Sequence, residues 1–226
     1  MARACQRLAV GFPLLSLMRA NSQQQWYGAN LKPKTNNPMN ELIDIVDQNG
    51  NPTGQTALKS VIHKKGHYHN TGHLWLYTPN GQILLAQRSA KKIICPLLWD
   101  ISVAGHIDAG ETIENGLLRE TQEELGLTLA PEDLTKTGVF SCFQTYPNGI
   151  KDFEFHHTYI AQLNVPITQL KLQENEVEAI KLITFNQFQW YINHIGIDNH
   201  FVPSNKSYYV AVLNTVKNQA SLFKKG

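Results

Sequence analysis

The first forty residues of this chain contain no aspartate and no glutamate; the first acidic side chain is Glu41. Arg3, Arg7 and Arg19 flank a short apolar run from Leu8 to Met18, interrupted by Gly11 and Pro13, and a stretch rich in Gln, Asn and Lys follows. A basic, acid-free segment of this kind fits a targeting sequence, a disordered leader or an over-long start upstream of Met39. Residues 1–38 are therefore expected to stand apart from a domain over residues 39–226, which is long enough for one full core and too short for two ordinary ones. Cysteine is scarce: Cys5, Cys95 and Cys142 are odd in number and show no C-x-x-C spacing. That disfavours a disulfide framework or a structural zinc site and favours a reducing, cytoplasmic compartment. No apolar run approaches membrane-spanning length. A net charge of +2 leaves no footprint for duplex nucleic acid or a membrane surface.

Lysine is absent between Lys92 and Lys136, and that interval holds the most acidic stretch of the chain. From Gly105 to Leu127 it reads GHIDAGETIENGLLRETQEELGL, with glutamates at 111, 114, 120, 123 and 124 and Arg119 as its only basic side chain besides His106. Ile113, Leu117, Thr121 and Leu125 recur at a four-residue step, the mark of an amphipathic helix, and Gly126 suits its left-handed C-terminal residue. On that helix Glu120, Glu123 and Glu124 share one face. Two like charges about 4 Å apart repel by about 1 kcal/mol in water and about 4 kcal/mol near a protein surface. A glutamate-rich solvated face is the plain reading. The alternative is that a hard divalent cation holds the cluster ionised, and oxygen donors of this kind suit Mg²⁺ or Mn²⁺.

Around this helix the chain alternates strands and turns. Glu41–Asp47 and Ala57–His63 are expected strands, the first closed by Asn49-Gly50. His63, His67, His69 and His73 then crowd together, either as a metal site or as a polar loop. His73–Thr78 and Gln82–Gln87 flank Pro79-Asn80-Gly81, a hairpin signal. Arg88, followed by Lys91 and Lys92, is a solvated edge or a phosphate contact. Trp99–Ala104 is expected as a strand running into the acidic helix. Gly138–Gln144 and Ile150–Leu163 form a second hairpin about Tyr146-Pro147-Asn148-Gly149, and period two puts Asp152, Glu154 and His156 on one side. Gln173–Glu178 reads as loop and Ala179–Thr184 as a last strand. Helices are expected over Asn186–His194, with Phe188, Trp190 and Tyr191 as core or pocket wall, and after Val202-Pro203-Ser204, where Tyr208, Val212, Leu213 and Val216 make an apolar stripe.

The fixed places Gly105, Glu111, Arg119, Glu120, Glu123, Glu124, Gly126 and Leu127 closely resemble the Nudix box; only Thr121 departs, standing where an aliphatic residue is usual. The resemblance implies an α/β/α sandwich about a mixed sheet and hydrolysis of a diphosphate linkage in a small molecule such as a nucleoside diphosphate joined to another group. It implies Glu120 and Glu124 as metal ligands, Glu123 as ligand or base, and the Gly105 carbonyl or its neighbour as a further oxygen. Glu111 is expected to pair with Arg119 and brace the loop against the helix. Arg88, His106 and Glu154 are the expected substrate contacts, Glu154 with a second role near the metal or the attacking water.

The His73 strand, Gln87-Arg88-Ser89, Pro96 with Trp99, and Gly105-His106 are similar to the branch containing isopentenyl-diphosphate isomerase. Those isomerases use a cysteine five residues after the Trp, where this chain has Ala104, and usually lack the complete box that this chain has. Their second metal position falls near His73, His106 and Glu154. Three readings follow: a metal-dependent diphosphohydrolase, which the intact glutamates favour; an isomerase-like enzyme, which Ala104 disfavours; and a non-catalytic binding module, which an intact box disfavours. The expected partner is a small-molecule diphosphate, and a homodimer stays open.

Overall fold

The protein is described from a computed structural model that covers residues 41–197 and 200–222; the expectations for residues 1–38 lie outside the described residues. Nine strands and four α-helices are described, in the order β1 (Leu42–Val46), β2 (Pro52–Leu58), α1 (Lys59–Lys65), β3 (His69–Thr78), β4 (Gln82–Arg88), β5 (Trp99–Asp100), β6 (Val103–His106), α2 (Ile113–Leu125), β7 (Thr135–Thr145), β8 (Lys151–Gln162), β9 (Val177–Thr184), α3 (Phe185–Asn193) and α4 (Lys206–Leu222).

The sheet is mixed. β3 runs parallel to β8 from His69↔Glu154 to Tyr77↔Gln162, and antiparallel to β6 from Thr71↔His106 to Leu74↔Val103. β3 and β4 pair only at their hairpin end, Tyr77↔Ile83 and Thr78↔Gln82. They then diverge, and β4 pairs instead with β9 and β5. Ser102 ties the diverging strands together: its hydroxyl donates to the Leu84 carbonyl at 2.7 Å and accepts from the Leu76 amide at 2.8 Å. Trp99–Ala104 is therefore not one strand. The chain pairs with β4 at Trp99-Asp100, crosses the divide at Ile101-Ser102, and pairs with β3 from Val103.

Alternation along β3 and β4 sends side chains to both faces of the sheet. Trp75, Tyr77, Ile83 and Leu85 pack with Phe188, Tyr208, Tyr209, Val212, Leu213 and Val216 of α3 and α4. Leu74, Leu76, Leu84 and Ala86 pack with Leu117 and Leu125 of α2. Helices thus cover both faces, an α/β/α arrangement in which every second side chain of a central strand feeds a different core.

The expected strand at Ala57–His63 is corrected: β2 lies earlier and the chain turns into α1 at Lys59. Among the described residues β2 is an edge strand, paired only with β1, so Pro52 and Gly54 are tolerated where they would break a central strand. α1 buries only Ile62 and ends at Gly66, whose φ of 72° is left-handed. Val202-Pro203-Ser204 precedes α4, which begins at Lys206, and its apolar stripe is core as expected. Trp190 is no core residue; it is 49% exposed on α3, while Phe188 is buried. Among the described residues no helix is long and apolar enough to cross a membrane.

Candidate functional site

α2 is capped as its sequence requires. The Thr112 hydroxyl accepts from the Asn115 amide at 3.2 Å, and Gly126 closes the helix with φ of 63° and a bond from its amide to the Gln122 carbonyl. Thr121, which replaces an aliphatic residue, is fully buried and its hydroxyl donates to the Leu117 carbonyl at 2.7 Å. The back-bond satisfies the polar group inside the helix, so the departure is absorbed without an orphaned donor.

Arg119 is the hub of the helix. Its Nε donates to Glu111 at 3.0 Å and 3.3 Å, and Nη2 donates to Glu111 Oε2 at 2.9 Å and to the His106 carbonyl at 3.1 Å. Nη1 donates to Glu120 Oε1 at 2.7 Å and lies 3.7 Å from Glu123. Burial opposes the charge on Arg119, and Glu111 and Glu120 more than restore it, so the guanidinium stays protonated. Glu111 also accepts from the Asp108 amide at 3.1 Å, which fastens the loop before the helix. The brace between Glu111 and Arg119 is the contact the sequence leads one to expect. The other edge of the same guanidinium serves Glu120.

Glu120 and Glu124 are buried, whereas Glu123 is half-buried. Gly105 makes room for the first of these. A Cβ there would lie 2.2 Å from Glu120 Cγ and 2.4 Å from Cδ, so only glycine lets the carboxylate arm cross β6. The Glu124 carboxyl is pushed well above the usual carboxylate range by burial and then by Glu120, with Lys92 and Arg88 pulling the other way. Two buried carboxyls on one helix face, one of them raised in proton affinity by the other, form a donor set that fits a hard divalent cation.

Glu124 shares a small open cleft with Arg88, Lys92, Asp100, Ala104 and Glu176. Arg88 reaches it from the end of β4, with Nε donating to the Ile94 carbonyl at 3.0 Å and Nη1 to Asp100 at 3.1 Å. Burial opposes its charge, and Asp100 outweighs burial. Lys92 pairs with Glu176. The structure therefore brings together Arg88 and Glu124, residues 36 positions apart (124 − 88).

His106 and Glu154 stand in a second group, on the other side of β6 from Gly105. His106 Nε2 faces His63 Nε2 at 3.2 Å; Glu154 Oε1 is 3.5 Å from His69 Nε2 and 3.9 Å from His106 Nε2. The donor atoms of His63, His69, His106 and Glu154 all lie within 4.8 Å of one another. His69 Nδ1 faces the His67 carbonyl at 3.0 Å; a carbonyl only accepts, so Nδ1 carries a proton and Nε2 is the ring atom turned to the centre. That buried Nε2 has no hydrogen-bond partner, and neither has Asp152 Oδ1, 3.6 Å from His63. Burial lowers the proton affinity of His63, with His69 adding to it, and burial lowers that of His106 strongly. For His69 burial also acts to lower it, but Glu154 prevails and raises it. Three imidazoles beside a carboxylate form a donor set for a transition metal, which would displace any proton from the ring nitrogens that face it.

The expectation that His73 joins His106 and Glu154 is corrected in part. His73 lies on the far side of Glu154, its ring stacked on His156 at 3.9 Å, with Nδ1 2.9 Å from the Tyr208 hydroxyl. His63 and His69 converge, while His67 contributes its carbonyl. Asp152 and His156, which period two puts on the same side as Glu154, also reach this region: Asp152 lies 3.6 Å from His63 and His156 2.9 Å from Glu154. Burial and Glu154 push Asp152 up to about 6.

The NUDIX domain family model matches residues 67–203. Nudix hydrolase 3 of Arabidopsis thaliana is 33% identical over 158 residues, 68% of this chain but only 20% of that protein, so the chain spans about a fifth of that relative's length. An uncharacterized Nudix hydrolase of Clostridium acetobutylicum is 32% identical over 157 residues, covering 68% of this chain and 75% of its own. Isopentenyl-diphosphate Delta-isomerase 2 of Photorhabdus laumondii is 31% identical over 157 residues, covering 69% and 84%. A crystal structure from Deinococcus radiodurans superposes with a TM-score of 0.56 at 19% identity, over 76% of this chain and 97% of that one, a likeness of fold. With the family match extending over more than half of the sequence, and with relatives of both kinds at this identity, the chain belongs to the Nudix hydrolase superfamily, in the branch that includes the isopentenyl-diphosphate isomerases.

Proposed function

We propose that this protein hydrolyses a diphosphate linkage in a nucleoside diphosphate derivative or a similar small molecule, with Mg²⁺ or Mn²⁺ held by Glu120 and Glu124 and by an oxygen at or beside Gly105. The observation that carries the reading is the pair of buried carboxyls on α2, of which Glu124 lines a cleft with Arg88. A cation there supplies charge neutralisation of the diphosphate and Lewis acidity. Arg88 binds and orients phosphate oxygens. It lowers the proton affinity of both Glu124 and Asp152, so it lies within electrostatic reach of both acidic groups. Glu123, half-buried at the rim of the helix, accepts the proton of the attacking water as one P–O bond of the bridge breaks. Arg119 and Glu111 hold Glu120 in place. Residues 39–226 form the hydrolase domain in this reading.

His63, His69, His106 and Glu154 form a second cation centre, supported by the orphaned His69 Nε2 and Asp152 Oδ1. That centre also favours the isomerase-like reading, which Ala104 opposes, because it leaves a methyl group where a proton-transfer group would be required.

A screen of nucleotide sugars, dinucleotides, prenyl diphosphates and thiamine diphosphate with Mg²⁺ and Mn²⁺, read by phosphate release after phosphatase coupling, tests hydrolysis. Turnover that collapses in Glu124→Gln, with circular dichroism unchanged, is expected. Conversion of a prenyl diphosphate to its isomer without phosphate release would establish the second reading, and binding without turnover would leave a binding module.

A further inference from the structure

The two oxygens of Glu154 face different neighbours. Oε1 points among His69 and His106, at 3.5 Å and 3.9 Å. Oε2 lies 2.9 Å from His156 Nε2, and a carboxylate only accepts, so the imidazole N–H donates. Burial works against ionised Glu154, and the bond from His156, with His69, reverses this and keeps the group ionised.

His156 is itself held. Its ring stacks on His73 at 3.9 Å and 29°. His73 Nδ1 is 2.9 Å from Tyr208 Oη, which accepts from Trp75 Nε1 at 2.9 Å, the indole being a donor only. Trp75, Tyr208, His73 and His156 are all buried, and Trp75 and Tyr208 belong to the core between the sheet and α4. A glutamate side chain has freedom to lose on ordering. Here one end of the carboxylate is anchored through a stacked ring to the core, and the other end is presented to three imidazoles.

We infer that His156 is a positioning residue for the histidine–carboxylate centre: it clamps Glu154 Oε2 so that Oε1 faces His63, His69 and His106, and the His73–Tyr208–Trp75 chain holds His156 in place. This rests on the reading of that centre as a cation site. Partners that orient a ligand in this way typically set metal affinity by about 10–100-fold.

The test uses the full chain and Co²⁺ alone, with visible absorption and titration calorimetry as readouts and circular dichroism as the folding control. His156→Leu should weaken Co²⁺ binding at the imidazole centre by about 10–100-fold. His156→Gln, whose amide reaches to where Nε2 stood, should recover most of the affinity, and His156→Asn, which is too short, should not. If the leucine variant fails to fold, the Gln and Asn pair decides. Co²⁺ binding that is lost in His69→Ala yet unchanged in His156→Leu or His156→Asn would overturn the positioning role. Binding that is equal in the wild type and His69→Ala would show that the centre itself is not a cation site, and would remove the premise.

Discussion

The arm of Glu120 lies across the α-carbon of Gly105, in space that a single methyl group would fill, 2.2 Å from Glu120 Cγ. The glycine at the start of the acidic stretch and the glutamate fifteen residues later (120 − 105) are one structural unit. The strand supplies a gap and the helix fills it with a carboxylate.

Gly105→Ala should therefore displace Glu120 rather than simply crowd a loop. Overpacking of this kind costs about 1–3 kcal/mol. A lower urea midpoint together with weaker Mg²⁺ binding by calorimetry is the expected result. Unchanged metal affinity would mean that Glu120 does not depend on this gap.

Arg119→Lys keeps the charge and loses the planar fork that reaches Glu111, Glu120 and the His106 carbonyl together. A loss of about 2 kcal/mol in unfolding free energy is expected, in line with charged hydrogen bonds. Chemical denaturation of the two proteins, compared at equal slope, measures it.

Glu124 gives a pH signature with a definite sign. Its folded-state proton affinity is raised, chiefly by burial, so between the unfolded value of 4.5 and the raised folded value the native chain holds the extra proton. The contribution to stability is present below 4.5 and is lost as pH rises through the folded value. In metal-free samples the stability difference should shift in favour of Glu124→Gln as pH rises from 5 to about 8. A cation displaces the same proton, so wild-type Mg²⁺ affinity should climb with pH, by up to about tenfold per unit. Thermal melts and calorimetric titrations at several pH values test both arms.

Arg88→Gln removes a cleft cation while keeping an amide donor for the Ile94 carbonyl or Asp100. If Arg88 grips phosphate oxygens, kcat/KM should fall by about 10–100-fold, the loss expected for one charge-assisted bond. The KM should carry much of the change, and steady-state kinetics on whichever diphosphate is turned over would show it.

The acidic helix and its caps were legible in the sequence because their causes are local. Gly126 and the four-residue apolar step act within one or two turns, and the spacing of Glu111 from Arg119 brings the two together across a single loop; the Thr112 cap is as local, though it was not read from the sequence. Period two likewise put Asp152, Glu154 and His156 on one side of β8. Ala57–His63 was misread because a strand beginning with Pro52 and Gly54 violates propensity, and only an edge position excuses it. Trp99–Ala104 was misread as one strand because its two halves serve different partners, and no local signal marks the crossing at Ser102.

What the sequence determined alone is the inventory and its local order: a helix carrying three carboxylates on one face, a glycine before it, an arginine within reach, and histidines crowded into one short stretch of chain. What tertiary structure decided is which of these meet. β3 and β4 diverge, and the chain crossing between them carries β6 into the gap, with Gly105 under Glu120 on one side and His106 beside His63, His69 and Glu154 on the other. His73 meets Tyr208 across 135 positions of chain, a separation that leaves no trace in any local pattern. Short-range preferences act through a few backbone torsions and can be read in order; long-range contacts depend on how both faces of a sheet are packed at once.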